Sequence, residues 1–169
     1  MFSEKVFTKP FKLYAKIPPM NYWLMKSEGD CYPIDQLKKD KTTSWSGVRN
    51  FQARNYMKSM NIGDMVLFYH SNAKPSGVYG LAKVCKHAHP DLSAQDPKDE
   101  HFDSKATKEN PIWECVDVRY MKTFKRPVSL EDMKKNPKLQ KMKVLEKGSR
   151  LSITPVSEGE FEEVCGIGE

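Results

Sequence analysis

No stretch of this sequence approaches the roughly 20 apolar residues that a membrane-crossing helix needs, and its first residues lack the continuous apolar centre of a secretory signal. The opening MFSEKVFTKPFKLYAKIPP carries lysines and aromatics but no arginine, so it is a poor mitochondrial presequence as well. The expectation is a soluble, intracellular protein, in a bacterial cytoplasm or a eukaryotic nucleus. There is no CxxC pair. The four cysteines, Cys31, Cys85, Cys115 and Cys165, stand far apart, which argues against a zinc ribbon and fits reduced core thiols. Also missing are GxGxxG after a strand, GxxxxGK[ST] and GxSxG, the usual marks of dinucleotide, P-loop and hydrolase-elbow chemistry. His70 has no Cys or Ser nucleophile at a telling spacing, so no catalytic residue is assigned. The HxHxD string His87, His89, Asp91 has metal-ligand residue types, but HAHPD reads as a solvated turn after a strand. No metal and no cofactor is expected.

Charge is present in excess of one sign. The formal net charge is +6, and the first 19 residues contribute four lysines, Lys5, Lys9, Lys12 and Lys16, against Glu4. A second excess lies between Lys134 and Arg150, where six lysines and one arginine face only Glu146. Such clusters contact nucleic-acid phosphates or form solvated helix faces. Met20 stands directly before the first strong strand, so residues 1–19 read as a flexible extension or an unused upstream start, and residues 20–169 as one domain. A chain of 169 residues buries roughly two thirds of its unfolded surface without a disulfide or metal.

The hydrophobic pattern gives about five strands and several short helices. NYWLMKS (21–27) is a buried strand, PIDQLKKD (33–40) a short helix with proline at its start, and the run from Asn50 a helix with Ala53, Met57 and Met60 on one face. DMVLFYHSN (64–72) and VYGLAKVCKHA (78–88) read as a hairpin in which Gly80 marks a bulge. Residues 89–111 are polar and rich in Pro and Asp, a surface excursion. IWECVDVRYM (112–121) alternates as a half-exposed strand. SLEDMKKN and LQKMKVLE read as helices, RLSITPV (150–156) as a last strand, and Ser157 with Glu160 as a capping box. The fold class is α+β on a mostly antiparallel, curled sheet.

In SWSGVRNFQARNYM (44–57), Trp45 with Ser46, Gly47, Arg49 and Asn50 mixes a stacking ring with hydrogen-bonding groups. Lys26-Ser27 and His70-Ser71-Asn72 each end an apolar strand, where polar groups converge at the mouth of a curled sheet. Six blocks, YWLMKSE (22–28), WSGVRNFQARN (45–55), GDMVLFYHSN (63–72), SGVYGLAKV (76–84), VDV (116–118) and RLSITPVSEGEF (150–161), together resemble the EVE domain family in order and register. One departure is EGD after Lys26-Ser27, where the family usually has Glu-Pro.

The resemblance implies a PUA-like fold, a curled, mostly antiparallel β-barrel flanked by short helices and related to YTH and ASCH domains. It implies a non-catalytic reader of modified bases, 5-substituted cytosine in DNA foremost, that flips the base into an aromatic pocket. Likeness to YTH domains puts Lys26, Ser27, Trp45, Ser46, Ser71 and Asn72 in that pocket, with His70 at the same strand end. Arg49 and Asn50 either bond the ligand or fasten the loop. Arg54, Lys141, Lys143 and Arg150 would hold the nucleic-acid backbone. The alternatives are an RNA-binding or RNA-processing protein of the ASCH kind, and a small-ligand or protein-interaction domain.

Overall fold

The computed structural model describes residues 18–169, so the expected N-terminal extension falls outside the described residues except for Pro18 and Pro19. The elements are β1 (Tyr22–Glu28), α1 (Ile34–Asp40), β2 (Thr42–Ser44), α2 (Phe51–Ser59), β3 (Met65–Ser71), β4 (Gly77–Pro90), β5 (Glu114–Ser129), α3 (Leu130–Lys135), β6 (Ile153–Val156) and α4 (Glu158–Gly168). The strands form one sheet in the order β2-β5-β4-β3-β1-β6. β1 and β3 pair in parallel, with Leu24 opposite Leu67 and Ser27 opposite His70, and every other neighbouring pair is antiparallel.

The central position of β1 and β3 explains their continuous apolar runs. Both sheet faces are covered there, so neither face of the strand can be polar. Trp23, Met25, Val66 and Phe68 pack with Ile34 and Leu37 of α1 and Ala53 and Met57 of α2. Leu24, Leu67 and Tyr69 pack on the opposite face with Met133 of α3 and Val164 of α4. The expected apolar face of α2 is all buried: Ala53, Met57 and Met60. Helix starts are fixed locally, by Asn50 Oδ1 accepting the Ala53 N–H and by reciprocal capping boxes at Ser129–Asp132 and Ser157–Glu160. Where β3 begins, the buried Asp64 carboxylate accepts from the Trp23 indole N–H (3.0 Å) and from the Asn21 and Asn61 backbone N–H groups. The bulge expected at Gly80 is present, and a Cβ there would collide with the Lys122 carbonyl.

Four sequence expectations change. The sheet is open: the edge strands β2 and β6 are only three and four residues long and do not pair with each other, so the expected closed barrel is an open six-stranded sheet. LQKMKVLE is not a helix but part of two separate 3₁₀ turns, Pro137–Leu139 and Lys143–Leu145, that bury Leu139, Met142 and Val144. HAHPD is not a solvated turn, because β4 continues through Pro90 and Asp91 is buried. Only Cys115 of the four thiols is a buried residue, and Cys31 is exposed. The polar excursion after β4 carries a small core of its own, Ala94, Ala106 and Trp113, with the Trp113 indole N–H donating to Asp103 (2.8 Å). No helix among the described residues is long and apolar enough to cross a membrane.

Candidate functional site

At the C-terminal end of β1 the chain leaves a cleft of about 650 Å³. Its walls are the strand end Lys26–Glu28, the turn carrying Cys31 and Tyr32, the segment from Thr43 to Asn50, Glu100 and His101 of the excursion, and Ser152 ahead of β6. Residues 26, 27, 45, 46, 49 and 50 of the sequence expectation therefore meet at one place. His70, Ser71, Asn72 and Arg54 do not line it.

The residues outside the cleft have structural roles. His70 is buried; its Nε2 accepts the Ile34 N–H (3.0 Å) at the start of α1 and its ring stacks on Tyr79 at 3.9 Å. Ser71 Oγ donates to the Ser27 carbonyl, tying β3 to β1. Asn72 takes a left-handed turn conformation (φ 53), which Asn tolerates better than most residues. Arg54 donates to the Ile112 carbonyl (2.9 Å) and to Asn55 Oδ1. Helix and strand ends need such groups, and a sequence pattern alone does not separate that need from ligand binding.

His70 makes a pH prediction. Burial holds its pKa below the ordinary imidazole value, with the nearby Asp35 charge opposing weakly. The unfolded imidazole takes up its proton near pH 6.5, before the folded one does, so its contribution is complete above that pH and declines as pH falls through the folded pKa. The thermal midpoint of wild type is expected to fall between about pH 6.5 and 5 by more than that of His70→Gln, which cannot titrate there. Parallel pH profiles for the two proteins would remove His70 as the cause.

Inside the cleft, the side chains divide into those that build it and those left free. Arg49 builds. Its guanidinium donates to the His101 carbonyl (2.8 Å), the Val48 carbonyl (3.0 Å), Asp91 Oδ2 (2.9 Å) and Ser93 Oγ (3.0 Å). Asp91 also accepts from the Gly47 N–H (2.8 Å) and from Ser93. Burial alone would raise the Asp91 pKa, but the bonds from Arg49, Ser93 and Gly47 outweigh it and hold the carboxyl below its ordinary value. Gly47 has φ +83, and an added Cβ would sit 3.0 Å from the His101 ring, so the loop passes between Asp91 and His101 with no room for a side chain. β2 is pinned beside it by Ser44 Oγ, which donates to Asp117 (2.6 Å), as His89 Nε2 also contacts Asp117 (2.7 Å). His89 and Asp91 of the HxHxD string thus go to different partners.

Five residues lining the cleft have bonding capacity in hand. Among the described residues the Lys26 ammonium meets only the Tyr69 ring (5.7 Å), and its pKa is lowered by burial. Asn50 spends its oxygen on the α2 cap, leaving its NH₂ without a partner among the described residues. Ser46 Oγ is likewise free there, whereas Ser27 Oγ donates to the Tyr32 carbonyl (2.7 Å) and keeps its lone pairs. Trp45 is mostly buried, 8% exposed, edge-on to Phe68. Its indole N–H has no acceptor among the described residues, where the one side-chain polar atom both sealed and unpartnered is Glu160 Oε2. The indole N–H is therefore not sealed from solvent, and Trp45 is one of the residues lining the cleft. Tyr32, His101 and Ser152 line the cleft, and Asp91 and Ser93 hold its loop, places the sequence reading did not give them; the one local signal was Asp91-x-Ser93, a pattern that folds an Asp side chain onto the backbone two residues on.

Comparison with known proteins gives one family match over most of the chain. The EVE domain pattern matches residues 21–167. Thymocyte nuclear protein 1 of chicken (Gallus gallus) is 38% identical over 166 residues, covering 88% of this chain and 69% of that protein. A hypothetical protein from Leishmania major superposes with a TM-score of 0.86 at 45% identity, covering 89% of this chain and 95% of that one. The human THYN1 protein, solved in complex with DNA containing 5-methylcytosine, superposes with a TM-score of 0.82 at 36% identity, covering 88% and 98%. Sequence blocks, strand order and these likenesses agree, and the chain belongs to the EVE domain family.

Proposed function

We propose that this protein is a non-catalytic DNA-binding domain that draws a 5-substituted cytosine out of the duplex into the cleft. The observation that carries the reading is the donor-rich lining: the Lys26 ammonium, the Trp45 indole N–H and the Asn50 NH₂ all lack an acceptor among the described residues. Cytosine offers two adjacent acceptors, O2 and N3, and one exocyclic amine. Three donors match the acceptors, and the free oxygens of Ser46 and Ser27 suit the amine. Tyr32 and Val48 supply apolar wall for a 5-substituent. A duplex hides O2 and N3 in pairing, so reading them requires extrusion of the base, at a cost of about a few kcal/mol.

The relative solved with 5-methylcytosine DNA supports the same polymer. Backbone contacts fall to the exposed Lys141 and to Arg150, which lies two residues from Ser152 of the cleft, while Lys143 is shared with Glu146 (3.1 Å). Arg54, with three of its five N–H groups bonded to the neutral oxygens of Ile112 and Asn55, keeps its charge and two donors for a phosphate.

The test is a binding panel of single- and double-stranded DNA and RNA carrying unmodified, 5-methyl, 5-hydroxymethyl and N6-methyl bases, run on wild type and Lys26→Met. Wild type is expected to prefer duplex DNA with a 5-substituted cytosine. Lys26→Met, which removes a partly desolvated charge with no ion-pair partner among the described residues, is expected to keep its thermal midpoint and lose about tenfold in affinity, the worth of one charge-assisted hydrogen bond. If wild type binds no modified oligomer better than its unmodified counterpart, the reading is wrong; a preference for RNA would move it to the ASCH-like alternative.

A further inference from the structure

We infer that Phe51 is a second stacking surface, for the nucleobase beside the one in the cleft; this rests on the DNA-binding reading above. Phe51 is 59% exposed and is the first residue of α2, directly after Asn50 of the cleft wall. It does not belong to the buried face of that helix, which is Ala53 and Met57. Yet the ring is not loose. It stacks on Trp113 at 4.8 Å with 22° between the planes, and Trp113 is itself buried and fixed by Asp103. The Arg54 guanidinium lies 4.9 Å from the Phe51 ring and that of Arg49 lies 5.5 Å from Trp113. Arg54 bonds neutral oxygens only among the described residues, so its charge stays available to an anion.

The result is a flat apolar ring, buttressed from behind, with uncompensated positive charge at its side, one residue from the cleft. That combination fits a nucleic acid better than an apolar protein face. Extruding a base leaves its neighbour with an uncovered face, and an aromatic ring at that position takes up the lost stacking. The contact is to a base plane, which every base possesses, so Phe51 adds affinity and no preference for the modification.

The experiment uses a duplex with a single 5-methylcytosine next to 2-aminopurine, whose fluorescence reports stacking, and the same duplex unmethylated. Phe51→Ala is expected to weaken binding to both duplexes by about tenfold, leaving the ratio between them unchanged, and to abolish the 2-aminopurine response. Phe51→Trp should restore both. Binding by Phe51→Ala within about twofold of wild type, with an intact fluorescence response, overturns the proposal, because one stacked base is worth more than that. So does a loss that Phe51→Trp fails to rescue, or one confined to the methylated duplex, which would place Phe51 in the reading of the modification. The two readings separate cleanly: if Phe51→Ala behaves as wild type while Lys26→Met loses affinity, only the stacking surface fails. If wild type binds neither duplex, both fail.

Discussion

Replacing Asp91 by Ala is expected to lower stability by about 3 kcal/mol and to weaken DNA binding more than any substitution on the exposed rim of the cleft. The carboxylate is 2% exposed and receives hydrogen bonds from Gly47, Arg49 and Ser93, so its removal strands donors from two segments at once. Arg49 keeps its bonds to the His101 and Val48 carbonyls, which places the loss at the lower end for a broken buried pair. For a chain of this size the thermal midpoint should fall by on the order of 10 °C. Binding suffers because Gly47 and Arg49 hold the loop carrying Trp45, Ser46 and Asn50. A milder variant, Ser93→Ala, removes one donor to Asp91 and one acceptor from Arg49 and should show both effects at reduced size. Asp91→Ala with an unchanged midpoint and unchanged affinity would remove the clamp. Acid should act in the same direction. The Asp91 pKa is depressed in the fold, so its contribution is present above the ordinary carboxyl pKa and lost as pH falls through the folded value, below the range in which His70 acts.

Asp91 also shows where the sequence is legible and where it is not. Local patterns carried over well. The apolar face of α2, the capping boxes at Ser129 and Ser157 and the bulge at Gly80 each depend on residues close in the chain or on one backbone conformation. What failed was long-range pairing. Nothing local in HAHPD says that Asp91 will meet Arg49, 42 residues away, or that His89 will meet Asp117. The strand was extended and the turn abolished by partners the pattern does not contain. Closure of the sheet failed for a related reason: the strands were legible, but whether the edges meet depends on β2, three residues long and too short for a periodic signal.

The site divides in the same way. Lys26, Ser27, Trp45 and Ser46 converge because a parallel pair, β1 and β3, brings one strand end beside the loop that the excursion clamps. Ser71 and Asn72 lie at the neighbouring strand end, where Ser71 gives its hydroxyl proton to the Ser27 carbonyl and Asn72 takes the left-handed turn. A polar cluster at a strand end thus has two uses, and only the hydrogen-bond partners distinguish them. By that criterion Arg49 fastens the loop, while Asn50 both caps α2 and offers its NH₂ to the cleft.

Trp45 is where packing and binding compete for one side chain. Trp45→Ala is expected to cost about 3–5 kcal/mol of stability, since a nearly buried indole leaves a cavity against Phe68 and the α1–α2 face. A binding loss in that variant would therefore say little by itself. Trp45→Phe separates the two roles: it keeps most of the apolar volume and removes the indole N–H, unpartnered among the described residues. If the indole acts on the ligand through its edge, Trp45→Phe should stay folded, with a midpoint within several degrees of wild type, and lose about tenfold in affinity for the methylated duplex, as one hydrogen bond to a buried base acceptor implies. A ring that stacks on the base would give the opposite result, because Phe also stacks. The exposure of Trp45, 8%, favours the edge, since a base cannot lie across a ring face that the core already covers. Full affinity in Trp45→Phe would mean that the ring swings out of the core when DNA binds, and Trp45 fluorescence, titrated with the methylated duplex, would then show the large change that a fixed indole should not.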